Sequence, residues 1–275
     1  MQQIPVASLD PDRYAETFGV FVAHSLEYPQ MLSELAAIVR DRCPDGFQLL
    51  DIGAGTGLMI RGLIEVCNKR PAHYTAFEPN ARHARDLHAT LARLGLPHEI
   101  HETPYSRDTR LDRTYDLVLF SHSLYWMPDP AAVMLQAADA VAPGGSVLAF
   151  IAGPYGVHAM FPLFEPRLRR TSPMLQNNAI SSHELVIGLR ARGVEPQVKM
   201  LPTPIDVSGL FEPSAAAELG EFISFCLQVE FSDLPLQLQD DIIGYVRGGC
   251  VPSNGRLYWY SPTAAVTVSG HSPER

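Results

Sequence analysis

Residues 49–57 read LLDIGAGTG and contain the pattern that decides the fold. A short aliphatic run ends at Asp51, and Gly53, Gly55 and Gly57 follow at every second position. Glycine tolerates the positive φ angles of a sharp turn from a strand into a helix, and its missing side chain lets a ligand lie against the main chain. The stretch therefore predicts a buried strand, a ligand-binding loop and a helix that starts at the last glycine.

Strand and helix patterns alternate on both sides of this loop. Short apolar runs predict strands, and apolar residues spaced three or four apart predict helices. The predicted strands cover residues 48–52, 73–77, 98–101, 115–121 and 146–151, and the predicted helices cover 10–24, 28–42, 58–68, 80–94 and 130–141. Repeated β-α units with nearly continuous apolar strands indicate a parallel sheet that is covered by helices on both faces.

The pattern loosens beyond residue 152. We predict a helix over 182–192, a strand near 196–201, and two helices within 205–250, a stretch that contains Phe222, Phe225 and Phe231. Residues 255–268 predict a final strand, in which Pro262 suggests a bulge or an edge. Hydrogen exchange would test whether 205–250 closes over a ligand and whether its phenylalanines exclude water.

These patterns predict one α/β domain with an inserted lid or substrate-binding region. Residues 1–45 would form an N-terminal helical cap that contributes to the substrate pocket, and residues 46–204 would form the core. Residues 205–250 would be the helical insertion or lid, 251–268 the final strand of the core, and 269–275 a disordered tail.

Composition excludes several classes of protein. The 275 residues are 46% hydrophobic and carry a formal charge of −9, which argues against a nucleic-acid partner. The N-terminus lacks the pattern of a signal peptide, and no apolar run is long enough to span a membrane. The four cysteines form no CxxC pair, and neither they nor the histidines predict a metal site. We expect a cytoplasmic protein, and the sequence indicates no oligomeric state.

A carboxylate follows the second predicted strand. Glu78 in TAFEP comes 21 residues after Gly57, where it could accept hydrogen bonds from both hydroxyls of a ribose. The GxGxG spacing differs from the GxGxxG of dinucleotide enzymes and suits an amino-acid group better than a diphosphate. The alternative is a solvated glutamate at the end of a strand.

Together, LLDIGAGTG, TAFEP, YDLVLFS and APGGSVL resemble the class I S-adenosylmethionine-dependent methyltransferases over residues 46–151. The resemblance implies a Rossmann-like, seven-stranded sheet whose last strand is antiparallel, with S-adenosylmethionine as the cofactor. It implies that Asp51 and the glycine loop hold the methionine end, that Glu78 and Pro79 lie at the ribose, and that residues near Thr103 to Tyr105 flank the adenine. Ser121 would lie where the cofactor meets the substrate.

The absence of several motifs excludes some classes of substrate. The chain has Ser121-His122-Ser123-Leu124-Tyr125 where enzymes that methylate the amino groups of DNA bases or glutamine carry [DN]PP[YF]. It also lacks a Pro-Cys pair for attack on cytosine and the acidic cluster of the catechol enzymes, of which Asp129 alone could be a part. A small organic molecule is the substrate class that remains.

The N-terminal segment resembles histamine N-methyltransferases. Tyr14, Phe18 and the run His24-Ser25-Leu26-Glu27 match their start, and Glu27 matches a glutamate that meets the substrate in that family. Two substrate contacts of that family differ in this chain. A glutamine that touches the imidazole of the substrate corresponds to His122, and a substrate-binding asparagine is replaced by Tyr260 or Ser261. Two following aromatic residues of that family correspond to Tyr125 and Trp126.

The exchange of glutamine for histidine supplies a group that takes up a proton near neutral pH. Tyr14, Glu27 and His122 match the polar set of bacterial indole C3-methyltransferases of alkaloid pathways, which belong to secondary metabolism. In that case Glu27 and His122 would remove the indole N1 proton, and Phe18, Tyr125 and Trp126 would wall the flat ring. Each of these side chains also has a structural interpretation, as core packing or as a solvated strand or helix end.

Three alternatives stay open at this point. The chain could methylate the nitrogen of a histamine-like amine or another N-heteroaromatic compound. It could be a nicotinamide-dependent oxidoreductase, although the GxGxG spacing and the APGG turn argue against that. It could also be a non-catalytic subunit that binds S-adenosylmethionine, although the intact Glu78 and the polar trio argue against it.

Overall fold

The computed structural model describes residues 3–174 and 179–270. In chain order they form β1 (Ile4–Val6), α1 (Pro11–His24), α2 (Glu27–Arg42), β2 (Gln48–Ile52), α3 (Leu58–Val66), β3 (His73–Phe77), α4 (Ala81–Leu94), β4 (His98–His101), β5 (Tyr115–Ser121), α5 (Pro130–Ala138) and β6 (Val141–Ala152). They continue with α6 (Val157–Phe164), β7 (Leu168–Arg170), α7 (Ser182–Arg190), β8 (Gln197–Leu201), β9 (Pro204–Asp206), α8 (Ala216–Leu227), α9 (Leu236–Gly248), β10 (Cys250–Ser253), β11 (Arg256–Tyr260) and β12 (Thr263–Ser269).

The chain divides into two compact units. The sheet unit consists of Tyr28–Ile151, Ser182–Leu201 and Ala264–Arg275. The helical unit consists of Met1–Glu27, Ala152–Ser181 and Pro202–Thr263. Both units are therefore built from segments that are far apart in the sequence.

A seven-stranded sheet forms the centre of the sheet unit, in the order β4-β3-β2-β5-β6-β12-β8. Strands β4, β3, β2, β5 and β6 pair in parallel. Strand β12 runs antiparallel to β6, because Gly153 N donates to Pro262 O at 2.6 Å near the start of β12 and Gly270 N donates to Gly145 O at 3.1 Å after its end. The predicted α/β class with seven strands is confirmed.

Local sequence explains where the main helices begin and end. Asp10 caps α1 by accepting hydrogen bonds from the backbone of Asp12 and Arg13, and Asn80 caps α4 in the same way. Gly95 ends α4 with a φ of 63°, a conformation that glycine adopts without steric cost. These short-range signals are the reason why the helix predictions were accurate to within a few residues.

The core of the sheet unit lies between the sheet and the apolar faces of α2, α3 and α4. Leu49, Leu117 and Leu148 from three neighbouring strands pack there with Leu35 and Leu63. All five side chains are almost completely buried. Burial of this kind contributes about 1.5–3 kcal/mol for each large aliphatic side chain, so the core fixes the positions of the strand ends.

The helical unit has a core of its own. Its strands form a parallel pair, β1-β7, and an antiparallel sheet in the order β10-β11-β9. Phe222 from α8 is completely buried, 5.7 Å from the ring of Phe21 in α1 and 6.0 Å from that of Trp259 in β11. Residues 205–250 therefore pack with α1, α6 and β11 as one compact unit.

Two strand predictions were wrong in their extent. Residues 255–268 form two strands in different sheets, because Pro262, which has no N–H for a ladder, separates β11 from β12. Strand β6 begins at Val141 and includes the predicted turn 143–145 as an irregularity, since Tyr115 pairs with Val141 whereas Leu117 pairs with Ser146.

The predicted cap and lid divide differently in the structure. Helix α1 belongs to the helical unit, whereas α2 from Tyr28 onward belongs to the sheet unit. Phe222 and Phe231 are buried in the core of the helical unit, and Phe225 is partly buried beside them. The lid role of 205–250 stays a prediction. Of the predicted tail, Ser269 ends β12, and residues 271–275 lie outside the described residues.

Over residues 3–174 and 179–270, every helix is too short or too polar to cross a membrane.

Candidate active site

Three neighbouring strands end at the same edge of the sheet. Ile52, the last residue of β2, pairs with Phe77 on one side and with Phe120 on the other. The glycine loop, Glu78 and Ser121 therefore start side by side at the carboxyl edge, where open α/β sheets bind their ligands.

The glycine loop has a backbone that other residues adopt only with strain. The φ angles of Gly53, Gly55 and Gly57 are 78°, 56° and 82°. A Cβ added at Gly53 would lie 2.3 Å from the Cβ of Ser123, whereas one added at Gly55 would meet no atom within 4 Å. Gly53 is thus required by close packing, and Gly55 faces open space that a ligand could fill.

Glu78 ties the loop to the next strand. Its side chain is 8% exposed. Oε2 accepts a hydrogen bond from the Gly55 N–H at 2.8 Å, and Oε1 accepts one from the Asn80 N–H at 2.9 Å. A carboxylate has about four acceptor positions, so both oxygens keep capacity for further donors such as the hydroxyls of a ribose.

Asp51 is a buried carboxyl group with one oxygen unused. Its Oδ2 accepts a hydrogen bond from the Tyr74 hydroxyl at 2.7 Å, and Oδ1 has no hydrogen-bond partner among the described residues. Burial raises the pKa of Asp51 to about 7, nearby Glu78 also raises it, and the hydrogen bond from Tyr74 lowers it. Such a group is ready to ionise when a cation or a donor approaches.

An aromatic group lies at the carboxyl ends of β3 and β4. The ring of Phe77 stacks on His101 at 4.5 Å between centroids and meets the edge of Tyr105 at 5.2 Å. Tyr105 is buried, and its pKa is raised to about 12, chiefly by burial. Pro79, two residues after Phe77, and Thr103, two residues after His101, are exposed.

His122 directly follows β5 and has an unusual backbone for a residue with a side chain. Its φ angle is 52°, and its N–H donates to Phe150 O at 3.0 Å. Its Nδ1 lies 3.1 Å from the Tyr125 hydroxyl, and the two rings stack at 5.9 Å. Left-handed residues other than glycine cost of order 1–3 kcal/mol and are frequent at functional sites. The conformation marks His122 as a candidate.

Ser123 fixes this histidine against the glycine loop. Its hydroxyl donates to Ile52 O at 2.5 Å, and its Cβ fills the position that a side chain at Gly53 would take. The next residues form a short turn in which Tyr125 is buried and Trp126 is 42% exposed. Within the sheet unit, the structure therefore brings His122 next to the loop.

The remaining predicted residues belong to the helical unit. The rings of Tyr14 and Phe18 lie parallel at 6.4 Å, and each lies 5.4 Å from Phe225. Both are half-buried, and burial raises the pKa of Tyr14. Glu27 accepts a hydrogen bond from the Thr263 hydroxyl. Tyr260 is 48% exposed on β11, outside the seven-stranded sheet.

Sequence reasoning missed three partners of the predicted residues. Ser123 braces Gly53, Tyr74 holds Asp51, and Thr263 holds Glu27. Tyr74 and Thr263 lie in predicted strands, and Ser123 lies just after one. Their roles depend on three-dimensional contacts that the linear sequence pattern does not contain.

A family model for the methyltransferase domain matches residues 23–162, which is more than half of the chain. The chain belongs to this methyltransferase family. A search of curated proteins finds no match.

Several solved structures share the fold of this methyltransferase. A protein of Bacillus halodurans described as a methyltransferase is 12% identical with a TM-score of 0.56, over 90% of this chain and 99% of its own. The plantazolicin methyltransferase in complex with S-adenosylhomocysteine is 12% identical with a TM-score of 0.53, over 95% and 91%. A Haloferax volcanii protein in complex with the Trm112 methyltransferase activator is 15% identical with a TM-score of 0.54, over 95% and 96%.

The chain is thus a methyltransferase that depends on S-adenosylmethionine. The predicted enzyme class and cofactor are confirmed. Among the described residues, histidine, cysteine and carboxylate side chains form no group of three that could hold a metal ion.

The open space at Gly55 predicts a selective effect on cofactor binding. We expect Gly55→Ala to lower the free energy of unfolding by about 1 kcal/mol because of its positive φ, and to weaken S-adenosylmethionine binding about tenfold or more, equivalent to about 1.4 kcal/mol. Gly53→Ala should destabilise the fold by about 3 kcal/mol through its clash with Ser123. Urea denaturation and calorimetric titration measure both effects.

Gly95→Ala is the matched control, because Gly95 also has a positive φ of 63° and open space around it, but lies at the end of α4. It should lose stability as Gly55→Ala does and bind S-adenosylmethionine normally. Wild-type affinity in Gly55→Ala would contradict the loop assignment.

The pKa of Asp51 predicts a pH-dependent stability. A carboxyl group whose folded pKa is raised stabilises the fold fully below its unfolded pKa of about 4 and loses that contribution as the pH rises through about 7. We expect the stability of the wild-type protein, relative to Asp51→Asn, to fall between pH 4 and pH 7 by up to about 1.4 kcal/mol for each pH unit. Urea denaturation without ligand measures this, and parallel curves for the two proteins would show that Asp51 ionises normally.

Proposed function

We propose that the sheet unit holds S-adenosylmethionine with the residues at its carboxyl edge. Asp51, Gly53, Gly55 and Gly57 would hold the methionine end. The unused Oδ1 of Asp51 and the open space at Gly55 support this assignment. When bound, the cofactor supplies an electrophilic methyl group on a sulfonium centre.

The ribose and adenine positions follow from the neighbouring strands. Glu78 would accept the ribose hydroxyls with the lone pairs that Gly55 and Asn80 leave unused, and Pro79 would lie beside it. Thr103 would flank the adenine near the aromatic group of Phe77. Ser121 would lie where the cofactor ends and the substrate begins.

We propose further that the enzyme methylates carbon 3 of an indole, as in the biosynthesis of pyrroloindoline-type alkaloids. The observation that carries this proposal is the position of His122, a titratable residue whose neighbour Ser123 packs against Gly53 of the glycine loop. An amine that is already neutral needs little base catalysis, whereas an indole becomes a better carbon nucleophile as it loses its N1 proton.

His122 would accept that proton. As C3 takes the methyl group, the N1 proton would pass to the imidazole of His122, which would become an imidazolium. The contact between Nδ1 and the Tyr125 hydroxyl, together with the stacking of the two rings, would hold the imidazole in one orientation. The left-handed backbone of His122 aims the ring and is maintained at an energetic cost.

Glu27 would orient and stabilise the imidazolium as a carboxylate partner, and Tyr14 would complete the polar set. The order of these residues along the chain, which matches that of the indole enzymes, supports the roles. Phe18, Tyr125, Trp126 and Tyr260 are the aromatic side chains proposed to contact the ring of the substrate.

Alignment of the reacting atoms and general-base catalysis contribute different amounts to the rate acceleration. A positioned general base typically accelerates a reaction by about 10²–10⁴-fold. Holding the nucleophile, the methyl carbon and the sulfur in line contributes about 7–11 kcal/mol in favourable intramolecular cases. We therefore expect loss of the base to leave a slow but measurable reaction.

The proposal is tested by incubating the protein with methyl-labelled S-adenosylmethionine and a panel of indoles, imidazoles and aryl amines, followed by mass spectrometry and NMR of the products. Transfer to C3 of an indole supports the proposal. Transfer only to the nitrogen of a histamine-like amine would support the alternative enzyme, and transfer to neither class would overturn the assignment of the substrate.

We predict that His122→Ala lowers kcat for indole methylation by about 10²–10⁴-fold and leaves the affinity for S-adenosylmethionine nearly unchanged. His122→Gly should show the same loss with an intact fold, because glycine adopts a φ of 52° without strain. Initial rates and calorimetric titrations measure the two quantities.

His88→Ala, at an exposed position on α4, is the control and should keep full activity. Combining Glu27→Gln with His122→Gly should add little to the single losses if the two residues act together. Full turnover in the His122 variants would rule out proton transfer to this residue.

A further inference from the structure

The side chain of Glu27 is held by a second residue that is far from it in the sequence. Thr263, the first residue of β12, donates its hydroxyl hydrogen to Glu27 Oε1. Thr263 is almost completely buried. The two residues are separated by 235 others, so this contact depends entirely on the fold of the helical unit.

A second threonine lies next to the contact between Thr263 and Glu27. The hydroxyl of Thr203, also almost completely buried, donates to Ser261 O at 2.7 Å and lies 3.5 Å from the Thr263 hydroxyl oxygen. The Thr203 hydrogen bond holds the main chain at Ser261, two residues before Thr263. The position of the Thr263 hydroxyl relative to the Glu27 carboxylate is therefore fixed.

The backbone of Glu27 is held in the same way. Its N–H donates to Ser25 Oγ at 3.2 Å, and the N–H of Leu26 donates to Pro204 O at 3.1 Å. Ser25 also forms an isolated antiparallel bridge with Ile205. Segment 25–27 is therefore tied to β9, and both the main chain and the side chain of Glu27 have fixed positions.

The location at a helix start adds to the effect of the hydroxyl. Glu27 is the first residue of α2, where the helix dipole favours a negative charge. A hydrogen bond donated to a carboxylate also favours its ionised form. The two effects act in the same direction, toward a Glu27 that is charged and held in one orientation.

We propose that Thr263 is a positioning residue that orients Glu27 and keeps it ionised during methyl transfer. The proposal rests on the function proposed above for Glu27. Thr263 does not need to touch the substrate, because it acts through the carboxylate. A hydroxyl group is required at this position, whereas the methyl group of the threonine is not.

Thr263→Val removes the hydroxyl at nearly constant volume, and Thr263→Ser keeps it. We expect Thr263→Val to lower kcat for the methylated substrate about tenfold or more, the equivalent of about 1.4 kcal/mol, with little change in KM. Thr263→Ser should restore kcat.

A second readout does not depend on the substrate. In protein labelled with ¹³C at the glutamate side-chain carboxyl group, Glu27→Gln identifies the Glu27 resonance. Its titration should move to higher pH in Thr263→Val and return in Thr263→Ser. Thr267→Val, the same exchange at a buried position of the same strand, is the control and should change neither titration nor activity.

The outcomes separate this proposal from the proposed function. If no indole is methylated but the Glu27 resonance moves as expected, the indole assignment fails and the role of Thr263 in ionising Glu27 stands. If indole methylation occurs and Thr263→Val changes neither the resonance nor kcat, Thr263 is not a positioning residue. Melting temperatures of the variants identify any loss of folding.

Discussion

Gly53 and Ser123 approach each other so closely that not even one methyl group fits between them at Gly53. This contact sets the distance between the loop after β2 and the segment after β5. It places His122 beside the glycine loop, and the hydroxyl of Ser123 locks the arrangement through Ile52 O. The paired ends of the parallel strands supply a rigid edge on which both segments rest. The proposed chemistry depends on this spacing.

Much of the fold could be predicted from the sequence. The strands of the sheet unit are short apolar runs, and the main helices carry their own caps, such as Asn80 and Gly95. The prediction was less successful where pairing decides the structure. Residues 255–268 look like one strand, but their two halves join different sheets, since strand partners distant in sequence leave no local signal.

The candidate site also has parts that the sequence predicts and parts that it does not. The glycine loop and Glu78 were predictable because spacing and position carry their meaning, and the structure places them at one edge. The left-handed backbone of His122 and the role of Ser123 arise from packing between β2 and β5, so no local pattern reports them. Thr263 is even less visible, because its meaning depends on Glu27 at the other end of the chain.

The fold by itself leaves the substrate open, because methyltransferases of this shape act on chemically different molecules. The plantazolicin methyltransferase, for example, matches over most of both chains at only 12% identity. Specificity has to come from side chains that the fold does not require. In the proposed function, the histidine after β5 and the carboxylate at the start of α2 are such side chains.

A crystal structure with S-adenosylhomocysteine and an indole that the enzyme methylates tests the central claim most directly. The account predicts that the ribose hydroxyls contact Glu78, that C3 faces the sulfur, and that the indole N1 lies within hydrogen-bond distance of the His122 ring, about 2.6–3.2 Å. An indole bound with N1 turned away from His122, or with Glu27 and His122 on opposite sides of the molecule, would contradict it.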